Sequence, residues 1–195
     1  MSAGRLGCYI AGGRPPGAGR TYRGCRDQTP PGRAVPVGLT GGLTFAGRSS
    51  VWGGGIAFYD PDADGELAAR AYQMTFGQLK DVFAQEIRRP VGSDLGLVAQ
   101  VPRRWTAPVR VYETLLHVAD RDGLPVFTIT SLQDLEPAAP SAPYLNTMLE
   151  GLHQAYGWTP RERADYLLRA RGVRPAWNAA ALVELCTGGP TTSAH

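Results

Sequence analysis

Leu79, Val82 and Phe83 recur at i, i+3 and i+4 behind Thr75-Phe76-Gly77-Gln78. This spacing predicts a helix that opens on a capping box, with the Thr75 hydroxyl and the Gln78 amide satisfying backbone donors at its first turn. Glu86, at i+7, falls on the same apolar stripe and is expected to face a core or cleft. A carboxylate that loses water has its pKa raised, which is how a glutamate becomes a usable general base or acid. The plainer alternative is a structural ion pair between Glu86 and Arg88 or Arg89 at the helix end.

The other elements follow from the same kind of pattern. A short helix is expected over residues 4–11, then a Gly/Pro/Arg-rich loop over 12–31. Val35–Leu39 and Leu43–Ala46 read as a hairpin across Thr40-Gly41-Gly42, and Ile56–Tyr59 and Glu66–Met74 as further strands around the turn chemistry of Pro61–Gly65. Val109–Ala119 and Leu124–Thr130 flank Asp120-Arg121-Asp122-Gly123, the strongest hairpin signal in the chain. Leu145, Met148, Leu149, Leu152 and Tyr156 lie on one face of a helix capped by Ser141 and ended by Gly157. Thr159-Pro160-Arg161-Glu162 starts a second helix that exits at Gly172, and Ala176–Cys186 reads as a third. Strands first and helices last predict an α+β domain, a small curled mixed β-sheet or barrel with helices packed against it. The domain is expected to span 1–187, strand-rich over 33–132 and helical over 141–187, with 188–195 a flexible tail.

Composition narrows the function classes. The 195 residues are 43% hydrophobic and 19% charged, in the range of a globular domain. All but one of the 20 Lys and Arg residues are arginines, Lys80 being the exception, and the formal charge is only +3. Arg14, Arg20, Arg23, Arg26 and Arg33, with Tyr22 among them, make a basic start that reads as a solvated loop, so no nucleic-acid partner is expected. Cys8, Cys25 and Cys186 are odd in number and lack C-x-x-C spacing, against a disulfide scaffold. No apolar run approaches the length of a membrane span or reads as a signal peptide, so a cytoplasmic protein without a membrane partner is expected.

The chemistry-bearing motifs are few. Gly12–Gly19 contains neither G-K-[ST] nor a G-x-G-x-x-G inside a βαβ unit, so no nucleotide site is expected. His117, His153 and His195 stand apart from one another and from any cysteine at ligand spacing, and no metal site is expected. Ser49 and Ser50 lack a G-x-S-x-G elbow, and Cys25 has a basic setting but no identifiable base. The run Trp52-Gly53-Gly54-Gly55 suits a turn where backbone approaches a ligand or another strand closely, with Trp52 either a cavity wall or ordinary core.

Taken in order, these pieces resemble the γ-glutamylcyclotransferase-like family over most of the chain, up to about Leu168. The family's Trp-x-Gly-Gly-x-Ala strand entry is matched by Trp52-Gly53-Gly54-Gly55-Ile56-Ala57. Its next strand, and the helix ending in the catalytic glutamate, resemble Ala68–Met74 and Phe76–Ile87. Its Pro-Ser-x-x-Tyr helix start, with a later glycine, resembles Pro140-Ser141-Ala142-Pro143-Tyr144 and Gly151. The resemblance implies Glu86 as the catalytic acid-base group, and Tyr144, Trp52, Gly53 and Gly54 as substrate-binding residues. It implies cleavage of a γ-glutamyl amide by its own α-amino group, giving 5-oxoproline and a free amine or amino acid without metal or organic cofactor.

The chain departs from the family twice. The family's Tyr-Gly-Ser-Asn loop would end immediately before Met1, so the chain is expected to lack that loop and its strand, as a truncated start or a degenerate branch. An unpaired sheet edge open to self-association is then expected. Ile87-Arg88-Arg89 also stands where family members commonly have glycine, which bears on substrate choice. The alternative function is a non-catalytic small-molecule-binding or interaction module of the same fold, inactive through loss of the loop.

Overall fold

The computed structural model describes residues 1–97, 103–109 and 111–188. His195 and all but the first residue of the expected tail lie outside the described residues. Among those described, helices and small antiparallel sheets combine into an α+β arrangement. Among the described residues no sheet closes into a barrel, and every strand-to-strand ladder is antiparallel where a mixed sheet is expected from the sequence.

The chain opens with α1 (Ala3–Ala11), capped by the Ser2 hydroxyl, with Leu6, Tyr9 and Ile10 buried at helical spacing. Two strands follow, β1 (Ala34–Thr40) and β2 (Gly42–Ala46), then β3 (Ile56–Asp60) and β4 (Glu66–Tyr72). The expected hairpin between β1 and β2 does not form. β1 pairs with β4, from Ala34 opposite Tyr72 to Thr40 opposite Glu66, and β2 pairs with β3. One two-armed ribbon results, bent at Gly41 and bulged outward at 61–65, with residues 47–55 as its tip. Gly41 has φ +121, and a Cβ there would lie 2.4 Å from the Asp60 carbonyl oxygen, so the glycine permits a close crossing inside an arm rather than a reversal.

α2 (Phe76–Glu86) carries the expected capping box: Thr75 Oγ1 accepts from the Gln78 amide, and Gln78 Oε1 accepts from the Thr75 amide. Replacing Thr75 with Ala removes one half of that exchange and is expected to lower stability by about 1 kcal/mol in urea unfolding. Phe83 and Leu79 face the three-stranded sheet of β5 (Arg104–Thr106), β6 (Thr114–Arg121) and β7 (Leu124–Thr130), while Val82 faces α1. The β6–β7 turn has Asp122 and Gly123 at φ 52 and 74, the primed geometry that a Asp-Gly pair favours. β6 starts at Thr114, later than the expected Val109.

The last third forms α3 (Ala142–Tyr156), α4 (Pro160–Leu167) and α5 (Ala179–Thr187) around Leu145, Leu149, Leu167, Val173 and Leu182. Ser141 sits at the cap of α3, but its hydroxyl makes no capping bond. Gly157 ends α3 in the left-handed conformation, and the Thr159 capping box starts α4, which ends before Gly172. Gly151 lets α3 approach the start of the chain, because a Cβ there would lie 3.0 Å from the Ser2 nitrogen.

Asp81 of α2 clamps two loops. It accepts from the Arg26 amide and guanidinium and from the Gly92 amide. Burial acts to raise its pKa, but hydrogen bonds from Arg26, the Arg26 charge and the Gly92 amide outweigh burial and hold it below the ordinary value of 3.8. Stability from this clamp is therefore present above the unfolded-state value and lost as pH falls through the lower folded-state value. Asp81→Asn is expected to flatten the acid limb of the stability curve below about pH 4, measured by thermal melts in a pH series.

Candidate active site

Glu86 ends α2 beside α1, which contributes Arg5 and Tyr9 on successive turns of its inward face. The Arg5 guanidinium lies 3.9 Å from Glu86 Oε1, and the two side chains retain only 9% and 11% of their exposure. The Tyr9 hydroxyl donates to the same carboxylate oxygen. It also lies 2.9 Å from the Tyr22 hydroxyl, so a short relay of hydroxyls links Tyr22, Tyr9 and Glu86. Neither Arg88 nor Arg89 pairs with Glu86. Arg88 follows the helix in the left-handed conformation, φ 59, which swings its guanidinium to donate to Ser50 Oγ.

Arg5 is enclosed by aromatic rings, its guanidinium carbon 5.1 Å from the Tyr144 centroid, 5.5 Å from Trp52 and 6.0 Å from Tyr9. Burial works against its charge, but Tyr144, Tyr9 and Glu86 together keep its pKa above the ordinary arginine value. Its Nε is buried without a hydrogen-bond partner. A buried donor left unpaired is costly, so this nitrogen is a local cost of enclosing the guanidinium among the rings.

These groups open onto a cavity of about 250 Å³ whose wall is drawn from distant segments: α1, the ribbon tip, the end of α2, Val109, Val111 and Tyr112, and the first turn of α3. Trp52 and Tyr144 stack within it, centroids 5.3 Å apart and planes 12° from parallel. The Tyr144 hydroxyl lies 3.4 Å from that of Tyr112, which bonds the Ala57 carbonyl oxygen. Burial, then the neighbouring Tyr144 and Glu86, push the Tyr112 phenol well above its ordinary value, so it stays protonated as a donor. Three of the expected site residues, Glu86, Trp52 and Tyr144, therefore meet in one cavity.

Gly53 and Gly54 do not line it. Gly53 is exposed, with φ 67, and Gly54 lies against Pro140, where a Cβ would come 2.5 Å from the Ala139 carbonyl oxygen. Gly55 is tighter still, at 2.0 Å from the Ala138 oxygen. The triple glycine thus serves a backbone approach between the ribbon tip and the segment entering α3, and that approach brings Trp52 onto Tyr144.

Arg5, Tyr9 and Tyr112 carry no signal in the sequence, because no local pattern marks a residue whose partners at the site lie far along the chain, such as Arg5, 81 positions from Glu86. The basic start is partly consumed by structure: Arg26 pairs with Asp81, Arg33 with Asp122, and Arg20 lies over the Tyr22 ring and lines the cavity. Cys25 is buried; that burial, with the Asp81 and Asp27 charges, pushes its thiol up to about 11, which leaves it a poor nucleophile near neutral pH. His117 pairs with Asp120 on β6, and His153 contacts the Trp158 carbonyl oxygen. Among the described residues, no group of three or more His, Cys, Asp and Glu is placed to hold a metal ion, and no helix is long and apolar enough to cross a membrane.

The cavity can therefore supply a proton acceptor of compensated charge, phenolic donors and a flat aromatic wall. No family model, curated protein or solved structure matches this chain.

Proposed function

We propose that the protein is a γ-glutamylcyclotransferase-like enzyme, with the arrangement of helices on curled strands that the resemblance implies. The observation that carries the proposal is the meeting of Glu86, Trp52 and Tyr144, distant in sequence, around one cavity with the Glu86 carboxylate at its wall. In the proposed reaction the neutral α-amine of a γ-glutamyl amide attacks its own γ-carbonyl carbon. Glu86 accepts the proton that the attacking nitrogen loses, then delivers it to the leaving nitrogen as the amide C–N bond breaks. Ring closure gives 5-oxoproline and the free amine, consuming neither water nor net protons. Because attack is intramolecular, the protein mainly holds the chain in a near-attack pose, with Tyr144 and Trp52 as walls, and a phenolic donor for the oxyanion.

The experiment is a panel of γ-glutamyl amines and γ-glutamyl amino acids assayed for 5-oxoproline. Release well above the uncatalysed blank for at least one member supports the reading, and a flat panel sinks it. The engagement of Glu86 by Arg5 and Tyr9 favours a second reading, a binding module in which the carboxylate only anchors α1 to α2. Ligand binding without product formation is its signature.

A further inference from the structure

Besides Arg5, three arginines line the cavity: Arg20, Arg48 and Arg88. Glu86 is the single carboxylate among the lining residues, and Arg5 already compensates it at 3.9 Å. None of the other three arginines forms an ion pair among the described residues. Arg48 and Arg88 are exposed and Arg20 is half-buried over Tyr22, so their charges gather at the open side of the cavity while the Arg5–Glu86 pair closes the inner side.

Arg88 carries a second signal. It occupies the left-handed position just past the α2 C-cap, where glycine is the relaxed choice and any other side chain is strained. Only three non-glycine residues described have positive φ. Asp122 belongs to a hairpin turn, whereas Arg88 and Tyr112 both line this cavity. A guanidinium is thus held at the mouth by a backbone that a glycine would adopt more readily, and the Ser50 hydroxyl fixes where it points.

Three uncompensated guanidinium groups around one opening favour an entering molecule of high negative charge, since arginine forks match carboxylates and phosphates in pairs of hydrogen bonds. We propose that the substrate's leaving part is itself acidic: a γ-glutamyl amide whose departing amino acid bears an acidic side chain, giving the substrate three anionic groups. This inference rests on the proposed cyclotransferase reaction. The α-amine goes to Glu86, and the anionic groups, foremost those of the leaving part, face Arg20, Arg48 and Arg88.

The test compares γ-glutamyl-glutamate with γ-glutamyl-glutamine, near-isosteres that differ in one charge, with γ-glutamyl-phosphoserine beside them. A kcat/KM at least about 10-fold higher for either acid than for the amide is expected at low salt, narrowing several-fold near 1 M salt as the Debye length shrinks to about 3 Å. Whether carboxylate or phosphate leads tells which acid the mouth takes. Arg88→Gly and Arg48→Gln are each expected to reduce the preference at least about threefold. A ratio near one, or a preference that neither variant changes, overturns the inference. If these three are inert while other γ-glutamyl compounds are turned over, the inference is overturned; if every γ-glutamyl compound is inert, the proposed reaction fails, and the same three compounds are titrated calorimetrically against the parent protein. Tighter binding of the acids then keeps the anionic specificity of the mouth, and equal or absent binding removes it.

Discussion

Glu86→Gln is expected to lower kcat for 5-oxoproline release by about 10²- to 10⁴-fold, the usual contribution of a positioned general acid-base group. The glutamine amide oxygen can still accept the Tyr9 hydroxyl, so the relay from Tyr22 persists and the cavity keeps its shape. What disappears is the group able to take the amine proton and return it. KM is expected to move far less than kcat, because the proton transfers occur on the way to the transition state rather than in the bound ground state. A variant retaining more than about a tenth of parental turnover would remove Glu86 from the mechanism. Assays belong well below the melting temperature, since the substitution also leaves Arg5 without its anion.

Arg5→Met is expected to have the largest effect on stability, about 3 kcal/mol, because removing one partner of a largely buried pair strands the other charge. In a chain of this length that corresponds to a melting temperature lower by about 6–12 °C. Methionine fills much of the same volume among Tyr9, Trp52 and Tyr144, so the loss reports on charge more than on an empty space. The double variant with Glu86→Gln is expected to be more stable than the sum of the single effects by about 1 kcal/mol or more, since it leaves no unpaired charge. Additive effects in urea unfolding would show that the two side chains are not coupled.

Sequence carried the locally encoded parts of this fold. The Thr75 and Thr159 capping boxes, the Asp122-Gly123 turn and the Gly157 terminus each depend on residues within one turn of one another, and each forms as expected. The β1–β2 relation did not read correctly, because glycines that bend an arm and glycines that reverse it look alike locally. The partner that decides between them, β4, lies some thirty residues away.

The site divides along the same line. The place of Glu86 at a cavity wall is legible from helical spacing, and Trp52 and Tyr144, singled out on an ordered resemblance, line the same cavity. The cation of Glu86 was misassigned to Arg88 or Arg89, the nearest in sequence. The missed signal was the position after the α2 C-cap: a residue forced left-handed there points away from the helix end, so Arg88 reaches Ser50 and leaves Glu86 to α1. Arg5 itself belongs to an amphipathic helix whose neighbours only tertiary packing reveals.

In the proposed reaction the substrate's own amine, not water, attacks the γ-carbonyl. This is tested most directly by running the best γ-glutamyl substrate in H₂¹⁸O and analysing the products by mass spectrometry. Unlabelled 5-oxoproline is expected, in equal amount to the released amine. Glutamate carrying ¹⁸O in its γ-carboxylate would mean hydrolysis, and would contradict it.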